Sequence, residues 1–424
     1  MRSIFTLIVE LLFLNAMELF GIKERSALMI SILIGAFSLA FCMDVENDRT
    51  SNYLKHELLL GYFCRLFMLY FDMYGHSIYV LPNSGADSSM FFAGALRVYN
   101  GAETGRTFFP VVMGYIFRWI GVSRLYGQFL VMLCSIVSFY LLARMMPYFH
   151  IPVSIQKSTM MIVAVLPNVL ILSVVFLRES IVTMFITIAL YCFVRWASSG
   201  KEVWFGISFA SIGMAAFFHS GAAGMALGLI IVRLLYDRKK NQIHLRFANI
   251  VLATALSIFI TFIYLNYGEV LFTKMARVDS LSDIANTNEA GGSSYAAYVG
   301  NSDSISNMII YTIPRIIYFL FSPFPWQWRG FSDIIAFFGS SLFYILSVYS
   351  AIRCIINRRS DNHVLAAVIL LIAIGVVFVF AWGCANTGTA ARHREKMVMI
   401  FALLWAVSQD SFTRDDRHLR QQII

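Results

Sequence analysis

Charge is scarce in this sequence. Only 13% of its 424 residues are Asp, Glu, Lys or Arg, about half the share of an ordinary soluble domain. That scarcity excludes a soluble globular enzyme, a disordered chain and a fibrous repeat. Several catalytic signatures are also missing. There is no G-x-x-x-x-G-K-[ST], no H-E-x-x-H and no G-x-S-x-G, which removes P-loop nucleotide hydrolysis, zincin chemistry and a nucleophile elbow. The six cysteines (42, 64, 134, 192, 354 and 384) form no C-x-x-C pair and sit in or beside apolar runs, so neither a disulfide framework nor a zinc site is expected. Tandem acids are absent from every segment expected outside the membrane, the one Asp-Asp being Asp415-Asp416 in the tail. A tightly held divalent metal is therefore not indicated, and no cofactor is expected. No internal repeat or low-complexity tract stands out.

Apolar residues fill the space that charge leaves. They make up 59% of the chain, with 38 Phe and 20 Tyr, and the mean hydropathy is +0.71. Runs long enough to span a bilayer, or nearly so, fall at about 4–22, 27–43, 56–75, 124–145, 159–177, 180–196, 203–217, 220–235, 248–267, 333–356, 363–383 and 397–408. The first run carries Glu10 and Glu18 and no small-residue cleavage site, so it reads as a retained helix rather than a signal peptide. Two shorter runs, about 107–121 with Pro110 and Arg118 and about 308–322 with Pro314 and Arg315, read as re-entrant or interfacial helices. The expected fold class is all-α: a polytopic membrane protein of about 12 transmembrane helices, at about 20 residues each. It forms one integral domain over 1–424, with outer segments at 76–123 and 268–332. The net charge of +9 then serves orientation and anionic ligands, not nucleic acid.

Lys/Arg bias orients the chain. The loop with Arg233, Arg238, Lys239, Lys240 and Arg246, the segment with Arg353, Arg358 and Arg359, and the tail with Arg414, Arg417 and Arg420 belong in the cytoplasm. The acid-rich loop 268–307 belongs outside. Parity between the outer loop and Arg358 requires one of the two intervening runs not to cross, and the Pro-interrupted 308–322 is the better candidate; if 107–121 likewise does not cross, both termini lie inside. Five polar islands then share the outer face: Pro82–Ser89 with Asp87, Arg178-Glu179, His219 within Phe218–Gly221, Ser322–Arg329 with Trp326 and Arg329, and Asn386–Arg394 with Arg392, His393 and Arg394. Ionisable groups at membrane depth cost roughly 2.5–3.5 kcal/mol unless paired or wetted. Their gathering in islands points to a polar cavity that receives an anion.

Each island has a plainer alternative. Asp87 can cap a helix starting near Ser88 or act as a general base. Arg178 and Glu179 can pair structurally or bind phosphate. His219 can be a packing residue or, like His393, a base. Trp326 can anchor at the interface or stack on a sugar. Arg392 and Arg394 can snorkel to headgroups or clamp phosphate with their guanidinium forks.

The Leu-Pro-Asn-Ser-Gly-Ala-Asp segment at 81–87, Arg178-Glu179, Ser-Pro-Phe-Pro-Trp at 322–326 and Gly-Thr-x-x-Arg-x-Arg at 388–394 together resemble bacterial O-antigen and exopolysaccharide repeat-unit polymerases, of the Wzy type and EpsG-like. Asp87 also resembles the first-loop acid of GT-C glycosyltransferases, without the second acid those usually carry. The resemblance implies metal-independent joining of undecaprenyl-pyrophosphate-linked oligosaccharides at the outer face of the bacterial inner membrane, with membrane lipid and a chain-length regulator as partners. It implies Asp87, with His219 or His393 second, as base. Arg392 and Arg394, with Arg178 or Arg329, would hold the pyrophosphate. A GT-C transferase using a polyprenyl-phosphate sugar, and a transporter of lipid-linked sugars, are the rival expectations.

Overall fold

A computed structural model describes residues 1–22, 25–48, 52–102, 107–244, 247, 251, 294–299, 305–357 and 362–409. The predicted span 248–267, apart from 251, lies outside the described residues, as do most of the loop 268–307, Arg246, Arg358, Arg359 and the tail. The described chain is almost entirely helical. Strand pairing among the described residues is confined to an antiparallel hairpin, Tyr236–Asp237 with Gln242–Ile243, and an isolated bridge between Ser294 and Asn386.

The helices follow the apolar runs. Five among the described residues are long and apolar enough to cross a membrane: Ala27–Asn47, Arg124–Phe149, Glu179–Ser199, Asp333–Ile356 and His363–Trp382. A sixth is obtained if Val153–Val165 and Pro167–Val174, bent by 57°, form one broken span. The bend has a local cause, because Leu166 precedes Pro167 and is extended, outside the helical region. These helices mark a membrane-embedded protein. The other described runs form helices that are shorter, such as Glu202–Phe218 and Val398–Gln409, or that carry more charge, such as Lys55–Tyr74.

The chain packs as two compact units, Met1–Arg144 with Gln156–Met184, and Met145–Ile155 with Phe185–Ile424. In the first, helix Phe108–Ile120 lies against Ala86–Tyr99 so closely that a Cβ on Gly114 would sit 2.7 Å from the Ala95 carbonyl. An aromatic cluster fills the space beneath, with Phe91 edge-on to Phe109 (5.6 Å, 86°) and Phe92 edge-on to Phe176 (5.5 Å, 88°). Two long polar side chains buried in this unit are held by hydrogen bonds, as apolar surroundings favour. Arg65 donates to the Gly61 carbonyl at 2.9 Å and to Ser135 at 3.0 Å. Gln128 donates to Asp72 at 2.6 Å and to the Val174 carbonyl at 2.9 Å.

The second unit is built on a contact of small residues. Gly224 and Gly228, four apart on helix Gly224–Leu235, meet the backbone of His363–Trp382 around Gly375. A Cβ on Gly228 would fall 2.7 Å from Ile372 Cα. This is the close approach that small-x-x-x-small spacing allows within a bilayer. It sets the site, because the turn carrying His219 leads directly into one helix and Phe380 lies on the other. Gly375→Val should therefore destabilise the unit by about 1–3 kcal/mol through overpacking. Thermal unfolding in detergent checks this, and an unchanged melting temperature contradicts the contact.

Candidate functional site

Three of the predicted site residues lie in the first unit. Asp87 is the second residue of helix Ala86–Tyr99, and the N-cap position belongs to Gly85. The capping alternative is thereby corrected: the helix starts before Asp87, which sits in the first turn, where a carboxylate still favours the helix dipole. Arg178 lies in the bend between Pro167–Val174 and Glu179–Ser199, with its guanidinium 5.8 Å from the Phe91 ring. Glu179 opens the following helix and is fully buried. Sequence reasoning missed Arg124, which donates to Ser88, next to Asp87, at 3.0 Å. It also missed His76, whose Nε2 lies 3.1 Å from Ser84 Oγ and 3.7 Å from Asp72. Both partners meet the same ring nitrogen. A Ser-His-Asp relay uses the two nitrogens separately, so this group is not one.

The other six lie in the second unit, organised by the short helix Thr387–Glu395. Asn386 caps it, its side chain accepting from the backbone N–H of Gly388 at 2.8 Å and of Thr389 at 3.3 Å. The Asn-Thr-Gly-Thr segment is thus a helix start, and Arg392, His393 and Arg394 fall in the last turn. Residues two apart on a helix do not face each other, so the arginines read as a pair are separated. Arg392 is half-buried, while Arg394 is fully buried.

Arg394 is turned onto the Ser322–Arg329 segment. Its Nη1 donates to the carbonyls of Leu320 (2.6 Å) and Ser322 (2.8 Å) and to Ser341 Oγ (3.0 Å). Tyr344 in turn donates to the Arg394 carbonyl at 2.6 Å. Burial pushes the guanidinium pKa down to about 10, so it remains charged at neutral pH.

His393 lies instead in a cluster with His219, Phe380 and Lys396. The two imidazole rings are 4.8 Å apart at 75°, and each lies 5.1 Å from the Phe380 ring. Lys396 is fully buried, its Nζ 2.9 Å from His393 Nδ1 and 5.7 Å from the Phe380 centroid. These contacts assign the tautomers. While the Lys396–His393 pair carries a positive charge, the His393 Nε2 holds a proton. His219 Nδ1 accepts from the Gly221 N–H at 3.3 Å, which leaves its proton on Nε2 as well. With its proton on Nε2, each ring is suited to donating to an anion. Lys396 was missed in the sequence, although its i,i+3 spacing from His393 was visible.

The remaining two residues border a pocket. Trp326, 68% exposed, lies flat on Phe324 (4.6 Å, 3°), and Tyr298, 55% exposed, lies flat on Tyr318 (5.4 Å, 7°). Between them is a cavity of about 110 Å³, whose polar lining includes Gln327, Arg329, Asp333 and Thr387. Asp333 accepts from the Arg329 N–H at 2.8 Å. Tyr295 closes the region below, fully buried, donating to the Cys384 carbonyl at 3.2 Å. Burial raises its phenol pKa far above the usual value, which keeps it a donor. Aromatic faces braced from behind, with polar groups beside them, are chemically suited to a sugar ring.

No family model, no curated protein and no solved structure matches this chain.

Proposed function

We propose that this protein is a glycosyltransferase that joins undecaprenyl-pyrophosphate-linked oligosaccharide repeat units into polysaccharide. It works at the outer face of the bacterial cytoplasmic (inner) membrane, with about 12 spans and both termini in the cytoplasm. The observation that carries this is the Thr387–Glu395 helix. Its first residue lines the aromatic pocket, its last turn supplies Arg392 and His393, and its C-cap residue is Lys396, the partner of His393. Nine residues of helix are about 13 Å long, so a sugar-binding surface and a cluster of cationic and N–H donors lie a short helix apart.

The chemistry follows from leaving-group charge. The C1–O bond to the pyrophosphate breaks and its electron pair leaves with the phosphate oxygen, while the acceptor hydroxyl forms the new C1–O bond and gives up its proton. Arg392, Lys396 and the Nε2–H groups of His219 and His393 stabilise the charge as it grows. Arg394 holds the Trp326 segment in place and is a positioning residue. A carboxylate takes the proton. Asp87 is the candidate read from the sequence, and Asp333 is the one lining the aromatic pocket.

Asparagine substitutions test this in cells whose polymer depends on this chain. The variant lacking the true base should leave single lipid-linked repeat units where the wild type makes long chains, at normal membrane level. Long chains from both Asp87→Asn and Asp333→Asn would remove carboxylate catalysis from the scheme.

A further inference from the structure

A second pocket lies at the other end of the helices that carry His219. Helix Glu202–Phe218 has 17 residues, a length of about 25 Å. His219 follows one end, and Glu202, at the other end, lines a pocket of about 360 Å³. Volumes of this order suit a small ligand or a headgroup.

The pocket is built around arginine. Gly200 ends helix Glu179–Ser199 with a φ of +72°, and the Arg238 guanidinium packs where any Cβ on it would project. Arg238 Nη1 also donates to the Ser198 carbonyl at 3.4 Å, capping that helix with a cation. Trp196, 3% exposed, lines the pocket, with the Arg233 guanidinium 5.7 Å from its ring. Lys239 and His244 complete the basic lining.

Two carboxylates are present as well. Asp237 Oδ1 accepts from the backbone N–H groups of Lys239 (3.1 Å) and Lys240 (3.3 Å), which turns the hairpin. Glu202 meets Arg233 at 3.5 Å with both side chains more than half exposed, a weak pair that a phosphate can displace.

The surroundings identify the source of that phosphate. Arg195 lies 4.5 Å from the Trp204 ring and 5.6 Å from the Tyr148 ring, the residue types that collect at a membrane–water interface. Val203 is 62% exposed and Ile207 40% exposed on the helix that begins at the pocket, an apolar surface suited to acyl chains. We infer that this pocket binds the phosphate of an anionic membrane-lipid headgroup. The inference is independent of the glycosyl-transfer proposal.

Calorimetric titration of the detergent-solubilised full chain tests it with three probes: dioctanoyl phosphatidylglycerol, dioctanoyl phosphatidylcholine and inorganic phosphate. Phosphatidylglycerol should bind, and the other two should bind at least about tenfold more weakly. Arg233→Gln, at an exposed position that leaves the helix intact, should weaken phosphatidylglycerol about fivefold, the contribution of one basic residue near a membrane surface. Lys240→Gln removes the same charge from the hairpin outside the pocket lining and should change affinity less than twofold. Equal binding of phosphatidylcholine would make this a tail site without anion recognition. Equal binding of inorganic phosphate would make it a soluble-anion site. Equal weakening by Lys240→Gln would reduce it to diffuse surface charge. Any of these, or no binding of phosphatidylglycerol, overturns the inference.

Discussion

Replacing Arg394 with alanine is expected to abolish polymer and destabilise the protein together. The side chain is fully buried, and one of its nitrogens donates to two carbonyls and a hydroxyl. A hydrogen bond from a charged donor contributes about 1.5–3 kcal/mol, and a buried acceptor left without its donor costs about 1–3 kcal/mol. The Leu320 and Ser322 carbonyls would lose this donor, and the Trp326 segment would lose its tie. Arg394→Lys should recover part of the melting temperature and little of the activity, because one ammonium does not reproduce the planar fork. Arg392→Ala should behave differently. That half-buried residue should lose activity while membrane level and melting temperature stay near normal. Thermal unfolding and polymer gels on the same preparations separate the two. Identical behaviour of Arg392→Ala and Arg394→Ala would contradict the separation of roles.

The opposite pattern is expected at Lys396. Burying a charge carries a desolvation penalty, which an apolar side chain of similar volume does not incur, and the His393 ring left behind is neutral when its partner is removed. Lys396→Met should therefore leave the melting temperature unchanged or raise it, while turnover falls about 10²–10³-fold, the effect of losing one preorganised electrostatic group. Activity lost without stability lost distinguishes a catalytic cation from a structural one. Near-native turnover of Lys396→Met would remove the His393–Lys396 pair from the reaction.

The helices were legible because hydrophobic runs of this length have few other solutions. The five described helices long and apolar enough to cross a membrane coincide with predicted runs. Of the polar islands, those at His219, Ser322–Arg329 and Asn386–Arg394 meet within the second unit. What was not legible was which way each side chain turns. Arg392 and Arg394 read as one phosphate clamp from their closeness in sequence, and helical geometry separates them. Lys396 was passed over because it lies at the edge of the next apolar run, where a lysine ordinarily snorkels to the interface. Asp333 was hidden for a similar reason, at the start of a predicted span. The Gly224, Gly228 and Gly375 contact needs two helices brought together, and one sequence without partners shows only half of it.

The most direct measurement is a reaction with purified components. Full-length protein is incubated with an undecaprenyl-pyrophosphate-linked repeat unit in excess EDTA, and the glycans are resolved on a gel. The account predicts a ladder spaced by whole repeat units, with undecaprenyl pyrophosphate released at each step and no need for a divalent ion. Products that grow by one sugar per turnover from a polyprenyl-monophosphate donor, and only when a divalent ion is restored, would contradict it.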